Sequence, residues 1–212
     1  MNFESEGYRE FLELFSRHVE TYLGDIDLVM HETVSDAVHV DIHVVPANEE
    51  RPYIALITSG MSDLPMSVPD ELDEFKYAEL LICLPPDWPI SMEAFQDEKN
   101  YWPVRWLKIL ARHPYYAATW FGINHTIPTG EPVCEGLDIA GFMLVPPMVS
   151  EVEFFELEVS QEKKVYFYQL LPIYQDEMDL KLEQGADALW EKLEEHLEIE
   201  DLINPYRASV CR

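Results

Sequence analysis

The chain has 212 residues, within the range of one domain. Its 14 Lys and Arg against 41 Asp and Glu leave a formal charge of −27. Phosphate backbones and anionic bilayers repel such a surface, which sets nucleic acid and membranes aside as partners.

Hydrophobic content of 48% and aromatic content of 12% supply a core and argue against disorder. Acidity has two readings: a solubilising surface, or a field that steers in a basic protein partner. Cys83, Cys134 and Cys211 fit neither a disulfide framework nor a zinc ribbon and point to a reducing compartment. The acidic start Met1-Asn2-Phe3-Glu4 lacks a leader-like apolar segment. No run reaches the ~18 apolar residues of a membrane span. The expectation is a cytoplasmic protein that forms a single unit over residues 1–212.

In chain order, Tyr8, Phe11, Leu12, Phe15, Val19, Tyr22 and Leu23 recur at helical steps, and Gly24 stops them. Strands are predicted at Ile26 to Val34, Val38 to Val45 and Tyr53 to Thr58. Asp36-Ala37 joins the first two as a hairpin. In the second, Val40, Ile42 and Val44 share one face and His39, Asp41 and His43 the other. Residues 77–84 form a buried strand ended by Pro85-Pro86. A helix is predicted over Tyr101 to Arg112, with Pro103 in its first turn. Trp102, Trp106, Ile109 and Leu110 lie on one side of it. Pro114 to Asp138 reads as loop. Strands follow at Ile139 to Val145 and Val165 to Leu171, with a weaker one at Val152 to Leu157. Helices Gln175 to Gln184 and Ala186 to Leu197 close the chain, separated by Gly185. The pattern predicts an α+β fold, a single domain with a mostly antiparallel or mixed central sheet flanked by helices.

Several segments carry a resemblance: Thr58-Ser59-Gly60-Met61-Ser62-Asp63-Leu64-Pro65-Met66; His39 to Pro46; and Ala78 to Pro89. To these add Tyr101-Trp102-Pro103-Val104-Arg105-Trp106-Leu107, Gly122-Ile123-Asn124-His125-Thr126-Ile127-Pro128, and Tyr166 to Tyr174 running into Glu177-Met178. In this order they resemble the bacterial branch of the Suppressor of fused family. The resemblance implies a non-catalytic protein-binding module with no cofactor and no metal. It implies a single lobe, since the chain ends at Arg212, and not the two-lobed clamp with which animal members grip an extended peptide. Some bacterial members look like immunity proteins, so the expected partner is a basic toxin domain, a nuclease among the candidates, neutralised by occlusion. A general peptide-binding scaffold is the alternative. The resemblance places a groove at His113, where animal members carry tyrosine, and along Gly122, Asn124, His125 and Thr126. Trp120 stands in the same stretch, and Tyr115, Tyr116 and Phe121 are either part of that surface or core beneath it.

Two further constellations stand on the residues alone. His39, Asp41 and His43, ~6.6 Å apart along one strand face, would with His125 suit a zinc or iron hydrolase. Against this, ligands must converge while strand side chains project in parallel, so hydrogen bonding to neighbouring elements is the simpler reading. Ser59-Gly60-Met61-Ser62 lacks the Gly-x-Ser-x-Gly pattern of a nucleophile elbow. Gly60 reads as a turn with positive φ. Asp63 reads as a cap to the chain leaving the strand, and Ser59, Gly60 and Asp63 as candidates for a partner-contact loop.

Overall fold

The computed structural model describes residues 6–33, 38–148 and 151–212, with backbone alone at Glu6, Ile199 and Glu200. Helix α1 (Glu6–Tyr22) precedes strands β1 (Leu28–Met30), β2 (Asp41–Val45), β3 (Ile54–Ser59) and β4 (Ala78–Leu84). Helix α2 (Glu98–Ala117) leads to β5 (Thr126–Pro128), β6 (Ile139–Val145), β7 (Glu156–Ser160) and β8 (Lys163–Tyr174). Helices α3 (Gln175–Gln184), α4 (Ala186–His196) and α5 (Ile199–Leu202) follow.

The eight strands form one mixed sheet in the order β1-β2-β3-β4-β8-β6-β5, with β7 beside the first half of β8. Every pairing is antiparallel except β4 with β8. Alternation sends even and odd strand residues to two cores. Ile42, Val44, Leu56, Leu80, Ile82, Phe142 and Tyr168 pack against Trp102, Trp106 and Leu110 of α2. On the opposite face, Val45, Ile57, Leu81 and Phe167 meet Phe11, Phe15 and Val19 of α1. Farther along that second face, Met143, Leu171 and Ile173 meet Met178 of α3 and Leu189 and Leu193 of α4.

The C-terminal segment is pinned by a buried pair. Arg207 donates to both Glu177 carboxylate oxygens at 2.6 and 2.8 Å, and Val210 N–H donates to the same carboxylate. Glu177 is fully buried. Removing one partner would strand a charge without solvent, at about 3–5 kcal/mol.

Several elements depart from the sequence expectations. The first strand shrinks to three residues because Asp41 takes the place of a ladder partner: its carboxylate accepts from Glu32 N–H at 2.9 Å and lies 2.8 Å from His31 Nδ1. The first two strands pair as expected, while the connection at Asp36-Ala37 lies outside the described residues. Helix α2 runs one turn past Pro114, where the sequence pattern predicts loop. Tyr115 in that turn donates its hydroxyl to the carbonyls of Met61 and Leu64, so a tertiary contact outweighs the proline. Ile109 lies 43% exposed, off the buried side of α2. The weak strand at Val152 to Leu157 is instead a 3-10 turn over Val152–Phe155 followed by β7, because Phe154 turns inward onto Phe167 and His18. Strand β5 and the four-residue α5 carry no pattern long enough to detect.

Candidate functional site

The residues singled out in sequence separate into two places. Ser59, Gly60 and Asp63 belong to a turn that closes inward. At Ile57↔Leu81 the β3–β4 ladder ends, and the chain wraps the side chain of Glu79. That carboxylate is fully buried. It accepts from Thr58 Oγ1 at 2.6 Å, Gly60 N–H at 2.9 Å, Ser62 N–H at 2.9 Å and Ser62 Oγ at 2.7 Å. Thr58 Oγ1 in turn accepts from Leu80 N–H, replacing the missing ladder bond. Gly60 has φ 103°, and a Cβ there would stand 1.9 Å from the His39 carbonyl oxygen. Asp63 closes the turn through its backbone N–H to Gly60 O at 3.2 Å. Burial pushes the Glu79 carboxyl up to about 7, and the donors from Thr58 and Ser62 oppose that rise.

The four residues of the supposed metal site do not converge. Asp41 holds His31 and His39, the latter at 2.9 Å. His43 pairs with Ser59 Oγ at 2.8 Å and packs on Phe15 of α1, and burial lowers its pKa to about 4. His125 sits against Trp120, in the other place. Among the described residues no group of three or more His, Cys, Asp or Glu is placed to hold a metal ion. The strand histidines are hydrogen-bonded parts of the sheet end.

The second place gathers His113, Trp120, His125 and Thr126 around an open groove of about 420 Å³, lined also by Thr119, Phe121, Ile127, Pro128 and Lys181. His113, half-buried near the C-terminal end of α2, stacks on Phe121 at 5.9 Å, while Phe121 itself is buried. Trp120 meets His125 edge-on at 4.5 Å. Gly122 permits this: a Cβ there would lie 2.6 Å from the Trp120 ring. Asn124, with φ 63°, turns the chain into β5, and its side-chain oxygen accepts from Trp190 Nε1 at 3.0 Å. Asn124 is therefore held by α4 and does not line the groove. Of the aromatic cluster, Tyr116 is 63% exposed, Phe121 is core, and Tyr115 anchors the Glu79 turn.

Strand β5 is the outermost strand on its side of the sheet. Asn124 N–H, His125 C=O and Thr129 N–H all bond inward to β6. By the alternation of an antiparallel ladder, the N–H and C=O of Thr126 and the C=O of Pro128 then face outward. Of the predicted partner-binding residues, His113, Trp120, His125 and Thr126 line this groove. Lys181 is not among them, and its ammonium reaches Thr126 Oγ1 at 3.3 Å from α3. No motif links positions 126 and 181; only the edge of the sheet does.

A family model described as Suppressor of fused protein (SUFU) matches residues 36–208. Among solved structures, a SUFU homolog from Neisseria gonorrhoeae superposes with a TM-score of 0.66 at 19% identity, covering 95% of both chains. A chain of the Sufu-Fu complex gives 0.65 at 14% identity, covering 96% of this chain and 92% of that one. Drosophila Suppressor of Fused gives 0.65 at 12% identity over 96% of this chain, which spans about half of the Drosophila protein at 51%. Nothing among the curated proteins matches. Among the described residues no helix is long and apolar enough to cross a membrane.

Proposed function

This chain belongs to the Suppressor of fused family, and we propose that it is a non-catalytic protein-binding module that takes an extended partner segment along the free edge of β5. The observation that carries this reading is the coincidence of a strand edge that pairs with no further described strand and an aromatic-walled groove beside it. An added strand gains main-chain bonds at Thr126 and Pro128, and side-chain specificity from the groove. Pro128 offers no N–H, which confines the addition to a short register and protects the edge from indiscriminate pairing. The Sufu-Fu complex supports the reading by analogy of fold.

Within this reading the partner is a bacterial toxin domain with a basic surface, bound in the cytoplasm and neutralised by occlusion. The net charge of −27 supports it, because it speeds encounter with a cationic surface and disfavours other acidic proteins. No group is asked to form a covalent bond.

The test pairs Trp120→Ala with capture of the partner from the native host. The variant is expected to stay folded, with a lowered thermal midpoint because Trp120 packs against the core, and to lose at least about tenfold in affinity, the loss of about 1.4 kcal/mol or more typical of a truncated aromatic anchor. Full affinity in a folded Trp120→Ala protein overturns the placement of the site. Co-expression with the captured partner tests the toxin role: rescue of growth supports it, and a non-toxic partner removes it. A partner that binds as tightly through a short synthetic segment as through its whole folded domain favours the general scaffold.

A further inference from the structure

The groove runs against the charge of the rest of the molecule. The chain carries 41 carboxylates and 14 Lys and Arg. Yet the lining at Trp120 contains one lysine, two histidines and, among the described residues, no carboxylate. Beyond Pro128 the polarity reverses. A second hollow of about 530 Å³ shares Pro128 and is lined by Glu131 and Asp138. Arg212, also on its wall, is spoken for by Asp176 at 3.1 Å. The two hollows share Pro128, the last residue of β5, on which the proposed docking rests.

Lys181 is the charge that matters at the Trp120 end. It is half-buried in the last turn of α3. Its ammonium has three donors, and the bond to Thr126 Oγ1 uses one of them. No carboxylate of the described residues lies within ion-pair distance of it. Burial lowers the pKa of His125, against an opposing hydrogen bond with the Trp120 backbone, and Lys181 lowers it further, so the neutral imidazole is favoured. Partial desolvation beside Trp120 and Phe121 strengthens an ion pair formed there relative to one in open water.

From this we infer that the segment docking on β5 carries an acidic residue, aspartate or glutamate, where it passes Lys181 and His125, and that the end running beyond Pro128 toward Glu131 and Asp138 is neutral or basic. This deepens the proposed docking and depends on it. It also separates two charge effects. The acidic body of the chain attracts a basic partner at long range, while the groove selects an acidic side chain at contact.

A library of randomised twelve-residue segments, displayed and selected against the whole protein, tests the inference. Three targets are compared: wild type, Lys181→Glu and Trp120→Ala. The expected result is enrichment of Asp or Glu at one fixed position in segments selected on wild type. Lys181→Glu should then bind those segments at least about tenfold more weakly and select Lys or Arg at that position. Selected segments that need Trp120 but show no acidic preference, and bind Lys181→Glu unchanged, overturn the charge inference and leave the docking reading standing. Segments indifferent to Trp120, or none selected at all, overturn both. Lys181→Gln, which keeps the stem without charge, separates loss of the ion pair from repulsion: an intermediate affinity is expected, and wild-type affinity counts against the inference.

Discussion

The turn after β3 and the segment leading into β5 use the same materials for opposite ends. Each has a glycine whose missing side chain admits a close neighbour: the His39 carbonyl at Gly60, the Trp120 ring at Gly122. Each gathers hydroxyls and aromatics. At Gly60 the polar groups point inward and spend their donors on Glu79. At Gly122 they border a groove, and Lys181 retains unspent donors. The lesson concerns hydrogen-bond accounting. A polar cluster whose donors are all used internally is architecture, whereas one with donors left over at the surface is a place for something else to bind.

Breaking the first region should cost stability before anything else. Gly60→Ala forces a Cβ to within 1.9 Å of a backbone oxygen at positive φ. A loss of about 3 kcal/mol or more is expected in urea denaturation, from strain and displacement together. The equivalent loss from a groove variant would dissolve the distinction between the two regions.

An effect smaller at each pH step follows from Glu79 and has a defined sign. Its carboxyl rises from the ordinary 4.5 to about 7 in the folded chain. The native state therefore holds that proton more tightly than the unfolded state. The contribution is fully present below pH 4.5 and is lost as pH rises through about 7. Glu79→Gln should flatten this slope, which amounts to roughly 1.4 kcal/mol for each pH step across the window. Parallel denaturation curves of wild type and variant across that window would contradict it.

The smallest effect sharpens the outer region. Association with a basic partner should slow several-fold as salt is raised, since charges are screened beyond ~8 Å at physiological ionic strength. Stopped-flow rates that ignore salt would remove steering, while leaving contact recognition at Lys181 untouched.

The alternation Val40-Ile42-Val44 against Asp41-His43, the apolar face of α1 and the glycine stops at Gly24 and Gly185 were all legible in one dimension. Each follows from a period of two or 3.6 residues and from backbone sterics. The family resemblance also marked His113, His125 and Thr126, and Trp120 stood in the same stretch; these four line one groove. Illegible were the partners. Glu79 meets Gly60 across 19 positions and Lys181 meets Thr126 across 55. Sequence alone thus decided most of the apolar faces of the strands and helices, Ile109 excepted, because periodicity is local. Tertiary structure decided which polar groups are satisfied and which remain available, because donors and acceptors find each other only after strand pairing brings distant segments together.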